Sequence, residues 1–332
     1  MNIRLAEDRV REWAAANSKA LGFRRSQIEV DYIWNPGGLV NQSYRLSDGE
    51  LVCHLKLAPD RNAPRLRQWA RISDRLTDHY HAPRLIGEVT QELVPGYTYG
   101  LVFEFVQGKP VSQMDGPQPV LEQVMDTLNG LHRDREIQQE LANQTSALTY
   151  ADAFFEEYIS RYEDDMEIVR AGKHHLPFVT EASIVWFGTE VEALKQLVRQ
   201  HPSFQSPATD VVHNDMHWDN VLAVDASSFW IIDWDGLTVN GDAAMDFSVL
   251  LWPLYQSGNW PYWRERVVGL AGPEILDRLE LYFRAKLLDD VIDLLADYVE
   301  AETMPEIKEK TQQRAKEIHL RAYSSYLKLY GR

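Results

Sequence analysis

The sequence predicts an α+β fold with a small antiparallel sheet near the N-terminus and a larger, mainly helical C-terminal part. Residues 27–57 alternate apolar and polar side chains in stretches separated by turn residues, which is typical of antiparallel strands. From about residue 117 onward, apolar residues recur at the three- and four-residue spacing of amphipathic helices. A Gly-Lys-Pro segment at 108–110 separates the two patterns. We therefore expect two domains, 1–107 and 108–332.

The N-terminal part combines two helical patterns with a series of strands. Residues 99–106 are almost continuously apolar, which indicates a strand buried on both faces. In chain order, the predicted elements are a helix at 5–20, strands at 27–34, 43–46 and 51–57, a helix at 64–78, an extended segment at 81–86 and a strand at 99–106.

The C-terminal part is predicted to be helical except for one pair of short strands. An apolar face repeats along each helical stretch, and Gly172 and Pro177 separate the second stretch from the third. The predicted helices lie at 117–131, 150–166, 181–200, 243–255, 273–303 and 305–329.

The interrupting strands belong to residues 211–236, the stretch that carries the predicted chemistry. An apolar lead-in is followed by a polar loop with Asp215 and Asn220, then by two short strands whose turn lies at 225–228, and then by Asp233. Transfer of a phosphoryl group to an alcohol requires a carboxylate for the attacking hydroxyl and oxygen ligands for Mg²⁺. A capping Asp or Asn in a polar loop is common, but the joint spacing of these three residues is much more specific.

Upstream residues could hold a nucleotide. Gly37 and Gly38 lie in the first predicted hairpin turn, where a chain without Cβ atoms could approach phosphate oxygens closely; an ordinary turn is the alternative. Lys56 lies between two leucines in a predicted strand, and a partly buried lysine requires an anionic partner such as a phosphate.

Composition narrows the class of protein. The formal charge is −16, from 34 basic and 50 acidic residues, and Lys and Arg form no block, so a nucleic-acid surface is not expected. The single cysteine, Cys53, cannot form an intramolecular disulfide, and no apolar run approaches the roughly 20 residues of a bilayer-spanning helix. We expect a cytoplasmic protein with no membrane contact and no obligate protein partner.

The chain resembles the aminoglycoside phosphotransferase and choline kinase family of small-molecule kinases. The resemblance covers roughly residues 27–300, and the segment around Asp215 is its most specific part. It implies a bilobal protein-kinase-like fold, with a small N-lobe and a mainly helical C-lobe. The matching segments are Gly37-Gly-Leu-Val-Asn-Gln-Ser-Tyr44, Lys56, Val102-Phe-Glu-Phe-Val-Gln-Gly108, His213-Asn-Asp215 with Asn220, Ile232-Asp233 and Gly241-Asp-Ala-Ala-Met-Asp246.

The resemblance also implies roles for these residues. Asp215 would be the catalytic base, Asn220 and Asp233 would bind Mg²⁺, and Lys56 would contact the phosphates of ATP or GTP. His213 and Asp246 would support the catalytic loop. The remaining residues expected to contact the nucleotide are Gly37, Gly38, Asn41, Gln68, Glu104 and Val106.

One position departs from the family pattern. Members of the family usually have a glutamate on the helix after the lysine strand, where it holds the lysine, and the matching residue here is Gln68. The amide oxygen of Gln68 could accept one hydrogen bond from Lys56 but would bring no charge. Asp74, further along this helix, is an alternative partner for the lysine.

The acceptor is left open by the sequence. An aminoglycoside-like polycation is the first hypothesis, and an amino alcohol such as choline or ethanolamine is the second, favoured by Gly37-Gly-Leu-Val-Asn41 and His213-Asn-Asp215. A nucleotide-binding regulator or pseudokinase is a third, supported only by Gln68. Acidic residues of the helical part could line an acceptor pocket: Glu156, Glu157, Asp164, Asp165, Asp289, Asp290 and Asp293.

Overall fold

A computed structural model describes residues 3–34, 41–141, 148–305 and 307–331. The chain forms two compact units, each assembled from several segments. The first unit comprises the described parts of 1–128, 139–141 and 217–237, and the second comprises those of 129–138, 142–216 and 238–332. The lobe boundary expected after residue 107 stays a prediction.

A five-stranded antiparallel sheet dominates the first unit. Its strand order is β1-β2-β3-β5-β4. The strands predicted at 27–34, 43–46, 51–57 and 99–106 are confirmed, whereas in the segment predicted to extend at 81–86 a strand begins only at Leu85. The strands are β1 (Glu29–Ile33), β2 (Gln42–Ser47), β3 (Val52–Pro59), β4 (Leu85–Val89) and β5 (Tyr97–Glu104).

Two helices, α1 (Ile3–Ala16) and α2 (Ala63–Tyr80), pack in the same unit. Helix α1 buries Ala6, Val10 and Ala14 in a core shared with strands β1 to β3, as its helical spacing requires. On α2, Trp69 stacks on Phe103 of β5 with ring centroids 4.4 Å apart. Both predicted N-terminal helices are therefore confirmed.

A second, three-stranded sheet in this unit carries residues of the predicted chemical site. Its strand order is β6-β8-β9, from β6 (Lys109–Pro110), β8 (Val221–Ala223) and β9 (Phe229–Ile231). The predicted hairpin is confirmed as an antiparallel pair in which Val221 lies opposite Ile231.

The second unit is mainly helical and contains one two-stranded antiparallel ladder, β7 (Asp210–Val212) with β10 (Thr238–Gly241). Helices α3 (Gln118–His132) and α4 (Arg135–Leu141) contribute residues to both units. The other helices are α5 (Tyr150–Phe154), α6 (Ser160–Ala171), α7 (Glu181–Gln200), α8 (Ala243–Leu251), α9 (Trp260–Ala271), α10 (Ile275–Glu300) and α11 (Lys308–Leu329).

The predicted helices are confirmed, with differences at their ends and in one interior. Between α5 and α6 the chain forms a π-helical turn, Phe155–Ile159, so the helix predicted at 150–166 is longer and irregular. Helix α8 ends at Leu251, and a 3₁₀ turn follows at Trp252–Leu254, because Pro253 cannot donate a backbone hydrogen bond. Helices α4 and α9 were not predicted. Within the described ranges, no helix is long and apolar enough to cross a membrane.

Candidate active site

Asn220 and Asp233 lie at the open end of the β8–β9 hairpin in the first unit. Asn220 ends a 3₁₀ turn, and its backbone carbonyl accepts a hydrogen bond from Ile232 N at 2.9 Å. Asp233 follows with left-handed backbone angles (φ 71°, ψ 50°), a conformation that costs an L-residue about 1–3 kcal/mol and that is concentrated at functional sites. The hairpin and this bend therefore bring the two residues together, as the sequence predicted.

Lys56 connects the large sheet to this hairpin. Its Nζ donates to Asp233 and, at 3.0 Å, to Oδ1 of Asp235, and its side chain is only 7% exposed. Burial opposes the charged form, but the attraction of the two carboxylates outweighs it and holds the pKa of Lys56 above its ordinary value. Lys56 is therefore a buried cation whose partners are both on the segment after β9.

Gln68 does not hold Lys56, so that expectation is wrong. Its Nε2 donates to the backbone carbonyl of Leu237 at 2.6 Å. Its amide is thus directed to the turn that follows Asp233, where a carbonyl oxygen requires a donor. Asp74, the suggested alternative, is not a partner of Lys56 in the described structure either; Nζ of Lys56 donates to Asp233 and Asp235.

The other predicted nucleotide residues are only partly located. Gly37 and Gly38 lie outside the described residues. Asn41, which follows them, donates from Nδ2 to Oδ2 of Asp235 at 2.7 Å. Glu104 ends β5, and its carboxylate accepts a hydrogen bond from Arg84 N at 3.0 Å. Contacts of Glu104 or Val106 with a nucleotide stay a prediction.

Asp215 lies in the second unit, on a loop fixed by backbone hydrogen bonds to Asp246. Oδ2 of Asp246 accepts from His213 N at 3.0 Å, and Oδ1 accepts from Asn214 N at 2.8 Å. Asn214 has a positive φ of 69°, so the loop turns sharply just before Asp215. His213 is fully buried, and its Nδ1 accepts from Asp215 N at 3.2 Å. The side chains of Asp246 and His213 therefore bond to the loop's main chain.

His132 belongs to the same network, and the sequence reasoning missed it. Its Nε2 lies 2.9 Å from Oδ2 of Asp246, and its ring packs edge-on against Phe247 at a centroid distance of 5.2 Å. The ring is 4% exposed and Asp246 is fully buried. Because an ionised carboxylate only accepts hydrogen bonds, this geometry assigns a proton to Nε2 of His132. In the sequence, the only indication of a role for His132 was its position at the end of a predicted helix.

The oxygen donors near Asp233 fit a magnesium ion. Carboxylate and carboxamide oxygens are the ligands that Mg²⁺ accepts, and Mg²⁺ in phosphoryl-transfer enzymes uses one or two protein carboxylates plus substrate phosphates. Nowhere among the described residues do three or more His, Cys, Asp or Glu side chains form a metal-holding group. Binding of a metal by Asn220 and Asp233 stays a prediction.

Some of the acidic residues suggested as acceptor lining form ion pairs within α10 or between α6 and α10. Lys286 donates to Asp290 at 2.7 Å and to Asp289 at 3.3 Å, and Arg161 donates to Asp289 at 3.3 Å. Asp289 is 6% exposed, so these contacts satisfy a buried carboxylate. Glu156 and Asp164 are exposed.

Among the described residues, Asp165 of α6 and Asp297 of α10 form no such ion pair. In the described structure, Oδ2 of Asp165 is buried without a hydrogen-bond partner. Burial, with the nearby Asp293 and Asp289, raises the pKa of Asp165 to about 7. Burial and Asp293 raise the pKa of Asp297 to about 8. This side of α10 therefore carries more carboxyl groups than cations.

The chain is similar to known proteins over most of its length. The sequence profile of APH, described as the phosphotransferase enzyme family, matches residues 34–282. Among curated proteins, none has a significantly similar sequence.

Solved structures with a similar fold include kinases of two acceptor types. A choline kinase from Cryptosporidium parvum Iowa II has a TM-score of 0.60 and 15% identity, over 96% of this chain and 95% of that one. An ethanolamine kinase from Plasmodium vivax has a TM-score of 0.56 and 12% identity, over 89% of this chain and 81% of that one. APH(2")-IIia, in complex with GDP and kanamycin, has a TM-score of 0.55 and 14% identity, over 90% of this chain and 93% of that one. These likenesses confirm the predicted α+β, protein-kinase-like fold.

Proposed function

Because the chain belongs to the APH phosphotransferase enzyme family, we propose that it is a kinase that transfers the γ-phosphoryl group of ATP or GTP to a hydroxyl group of a small molecule. The observation that carries this proposal is the arrangement around Asp233. A buried lysine, a carboxylate and the Asn220 turn are brought to one hairpin end from distant parts of the sequence. The lysine and the oxygen ligands are the groups that hold nucleotide phosphates and their metal.

In this proposal, Asp215 orients the acceptor hydroxyl and receives its proton as the hydroxyl oxygen bonds to the γ-phosphorus. The bond between that phosphorus and the β–γ bridging oxygen breaks, and the nucleoside diphosphate leaves with the electron pair. Lys56 contributes positive charge to the phosphates. Asn220 and Asp233 would hold Mg²⁺, which, when bound, would neutralise charge that develops on the phosphate oxygens.

The hydrogen bonds that fix the loop around Asp215 support its assignment as the base. Two backbone amides of the loop donate to the buried Asp246, and the amide of Asp215 itself donates to His213. Fixed positioning of a catalytic carboxylate avoids the loss of rate that even a small displacement causes. Asp215 and Asn220 are five positions apart in the sequence, the spacing on which both assignments rest.

For the acceptor, we propose a cationic small molecule, with an aminoglycoside-like polycation first and an amino alcohol such as choline or ethanolamine second. The net charge of −16 and the uncompensated carboxyls of Asp165 and Asp297 favour a cation. One structure of similar fold binds kanamycin and GDP, and two others are choline and ethanolamine kinases, so both acceptor types have a relative of this fold. Gln68 was the one residue that favoured a regulator. Its amide donates to the backbone carbonyl of Leu237, and Lys56 donates to two carboxylates instead.

A nucleotide-consumption screen tests the proposal. The protein is incubated with ATP or GTP and Mg²⁺ and with aminoglycosides, macrolides, choline-type alcohols, homoserine or sugars, and Asp215→Ala serves as the blank. We expect consumption that depends on at least one acceptor and is absent from the variant. Tight nucleotide binding without consumption for any acceptor would instead support a nucleotide-binding regulator.

A further inference from the structure

The proposed mechanism assigns no role to Asp235, although this residue contacts Lys56. It lies two residues after Asp233, in a 3₁₀ turn, Trp234–Gly236, and its side chain is 17% exposed. Oδ1 accepts from Lys56 Nζ at 3.0 Å, and Oδ2 accepts from Asn41 Nδ2 at 2.7 Å. One carboxylate thus joins strand β3 to the residue that immediately precedes β2.

The need for this carboxylate follows from the burial of Lys56. A buried ammonium group left without an anionic partner is strongly destabilising, so Lys56 requires at least one carboxylate whenever no nucleotide phosphate contacts it. Its other partner, Asp233, is a proposed magnesium ligand, and oxygens that ligate a metal are less available to a lysine. Asp235 is the carboxylate that can remain on Lys56.

The turn that carries Asp235 is itself held from helix α2. Gln68 donates to the carbonyl of Leu237 at 2.6 Å, one residue beyond the turn, and Trp234 donates from its ring nitrogen to the carbonyl of Ile231 at 2.7 Å. A carboxylate at position 68 would place an oxygen against the carbonyl oxygen and could not donate. The amide at this position is therefore matched to the turn.

We propose that Asp235 is a positioning residue that holds Lys56 and Asn41 in place for the nucleotide phosphates, and that Gln68 fixes the turn on which Asp235 lies. This inference rests on the proposed function, because it concerns the same nucleotide site. Its contacts, however, join side chains of this chain only, so they can be tested separately from catalysis.

The first experiment measures how firmly Lys56 is held in the nucleotide-free protein. An amine-reactive ester labels the folded protein, and peptide mass spectrometry gives the acylation rate at Lys56. For Asp235→Asn we expect a rate at least about five times that of the wild type, since one of two partners loses its charge. Asp235→Glu should retain a rate within about twofold, because it keeps the carboxylate. Asp78→Asn, an exposed residue of α2, is the matched control and should not change the rate.

The second experiment separates positioning from metal binding. Calorimetry measures the Kd of ADP for the wild type and Asp235→Asn, once with Mg²⁺ and once with EDTA. A positioning role predicts about a tenfold weaker affinity under both conditions, which corresponds to roughly 1.4 kcal/mol. A loss only with Mg²⁺ would identify Asp235 as a metal ligand and overturn the inference.

Two further outcomes are decisive. If Asp235→Asn leaves both the labelling rate and the ADP affinity within twofold of the wild type, Asp235 does not position Lys56. If Gln68→Glu leaves the Lys56 labelling rate unchanged, the role of Gln68 is wrong, because the replacement removes the bond to Leu237. Failure of the wild type to bind any nucleotide would contradict the proposed function, while the labelling result would still test the contact.

Discussion

The buried carboxylate of Asp246 gives the sharpest prediction about stability. It accepts three hydrogen bonds, from His213 N, Asn214 N and His132 Nε2, and it is fully buried. In Asp246→Asn, the single amide oxygen can take the place of Oδ2 and keep the bonds to His213 and His132. The amide NH₂ then faces Asn214 N–H, and two donors oppose each other.

The magnitude follows from these bonds. A hydrogen bond to a charged group contributes about 1.5–3 kcal/mol and one between neutral groups about 0.5–1.5 kcal/mol. One lost bond and two bonds weakened by about 1–1.5 kcal/mol each therefore total roughly 3.5–6 kcal/mol. We expect Asp246→Asn to lower the free energy of unfolding by about 3 kcal/mol or more on this basis.

Urea unfolding followed by far-ultraviolet circular dichroism measures this change. Asp164→Asn, which also removes one aspartate charge but at an exposed position of α6, is the control and should stay within about 0.5 kcal/mol of the wild type. A change below about 0.5 kcal/mol in Asp246→Asn would refute the reasoning, because a fully buried acceptor of three bonds cannot be replaced at so small a cost.

Three further predictions concern other parts of the chain. Burial raises the pKa of Asp165 to about 7, so between about pH 4 and pH 7 the folded state keeps a proton that the unfolded state loses, and the protein loses stability as the pH rises through this range. Asp165→Asn should therefore unfold at the wild-type urea concentration at pH 4.5. At pH 8 it should be about 1–2 kcal/mol more stable than the wild type, a value reduced for the partial exposure of the side chain. Asn220→Ala should raise the Mg²⁺ concentration for half-maximal activity at least about tenfold, measured by metal titration, with an unchanged melting temperature. Gly241→Ala should lower the free energy of unfolding by about 1–3 kcal/mol in urea, because its new Cβ would lie 2.0 Å from Cγ2 of Val212.

Local patterns in the sequence were sufficient for most of the elements. Alternation predicted strands β1 to β3, and apolar spacing predicted α7 at 181–200, which matches Glu181–Gln200 in the structure. The π-helical turn Phe155–Ile159 could not be predicted, because it only shifts the phase of a helical pattern. Helix α9 was missed since it buries only Trp263 and Val267 and so has little apolar periodicity.

The site was predictable where its residues are close in sequence and not where they are distant. Asn220 and Asp233 lie on one hairpin, so their spacing alone predicted that they meet. The partners of Lys56 and Gln68 lie 169 to 179 positions away, and the partner of Asp246 on α3 lies 114 positions away. No local periodicity encodes such contacts. They depend on tertiary packing, and for this reason Asp235 and His132 were overlooked and Gln68 was given the wrong partner.

The measurement that tests the central claim most directly compares Asp215→Asn with the wild type on the acceptor found by the screen. The variant keeps the size of the side chain but cannot accept the proton of the hydroxyl. We predict that kcat falls by about 10²–10⁴, the contribution of a positioned general base, while the Kd of ADP stays within twofold. A kcat within about threefold of the wild-type value, with the acceptor still phosphorylated, would contradict the assignment of Asp215 as the base of a phosphotransferase.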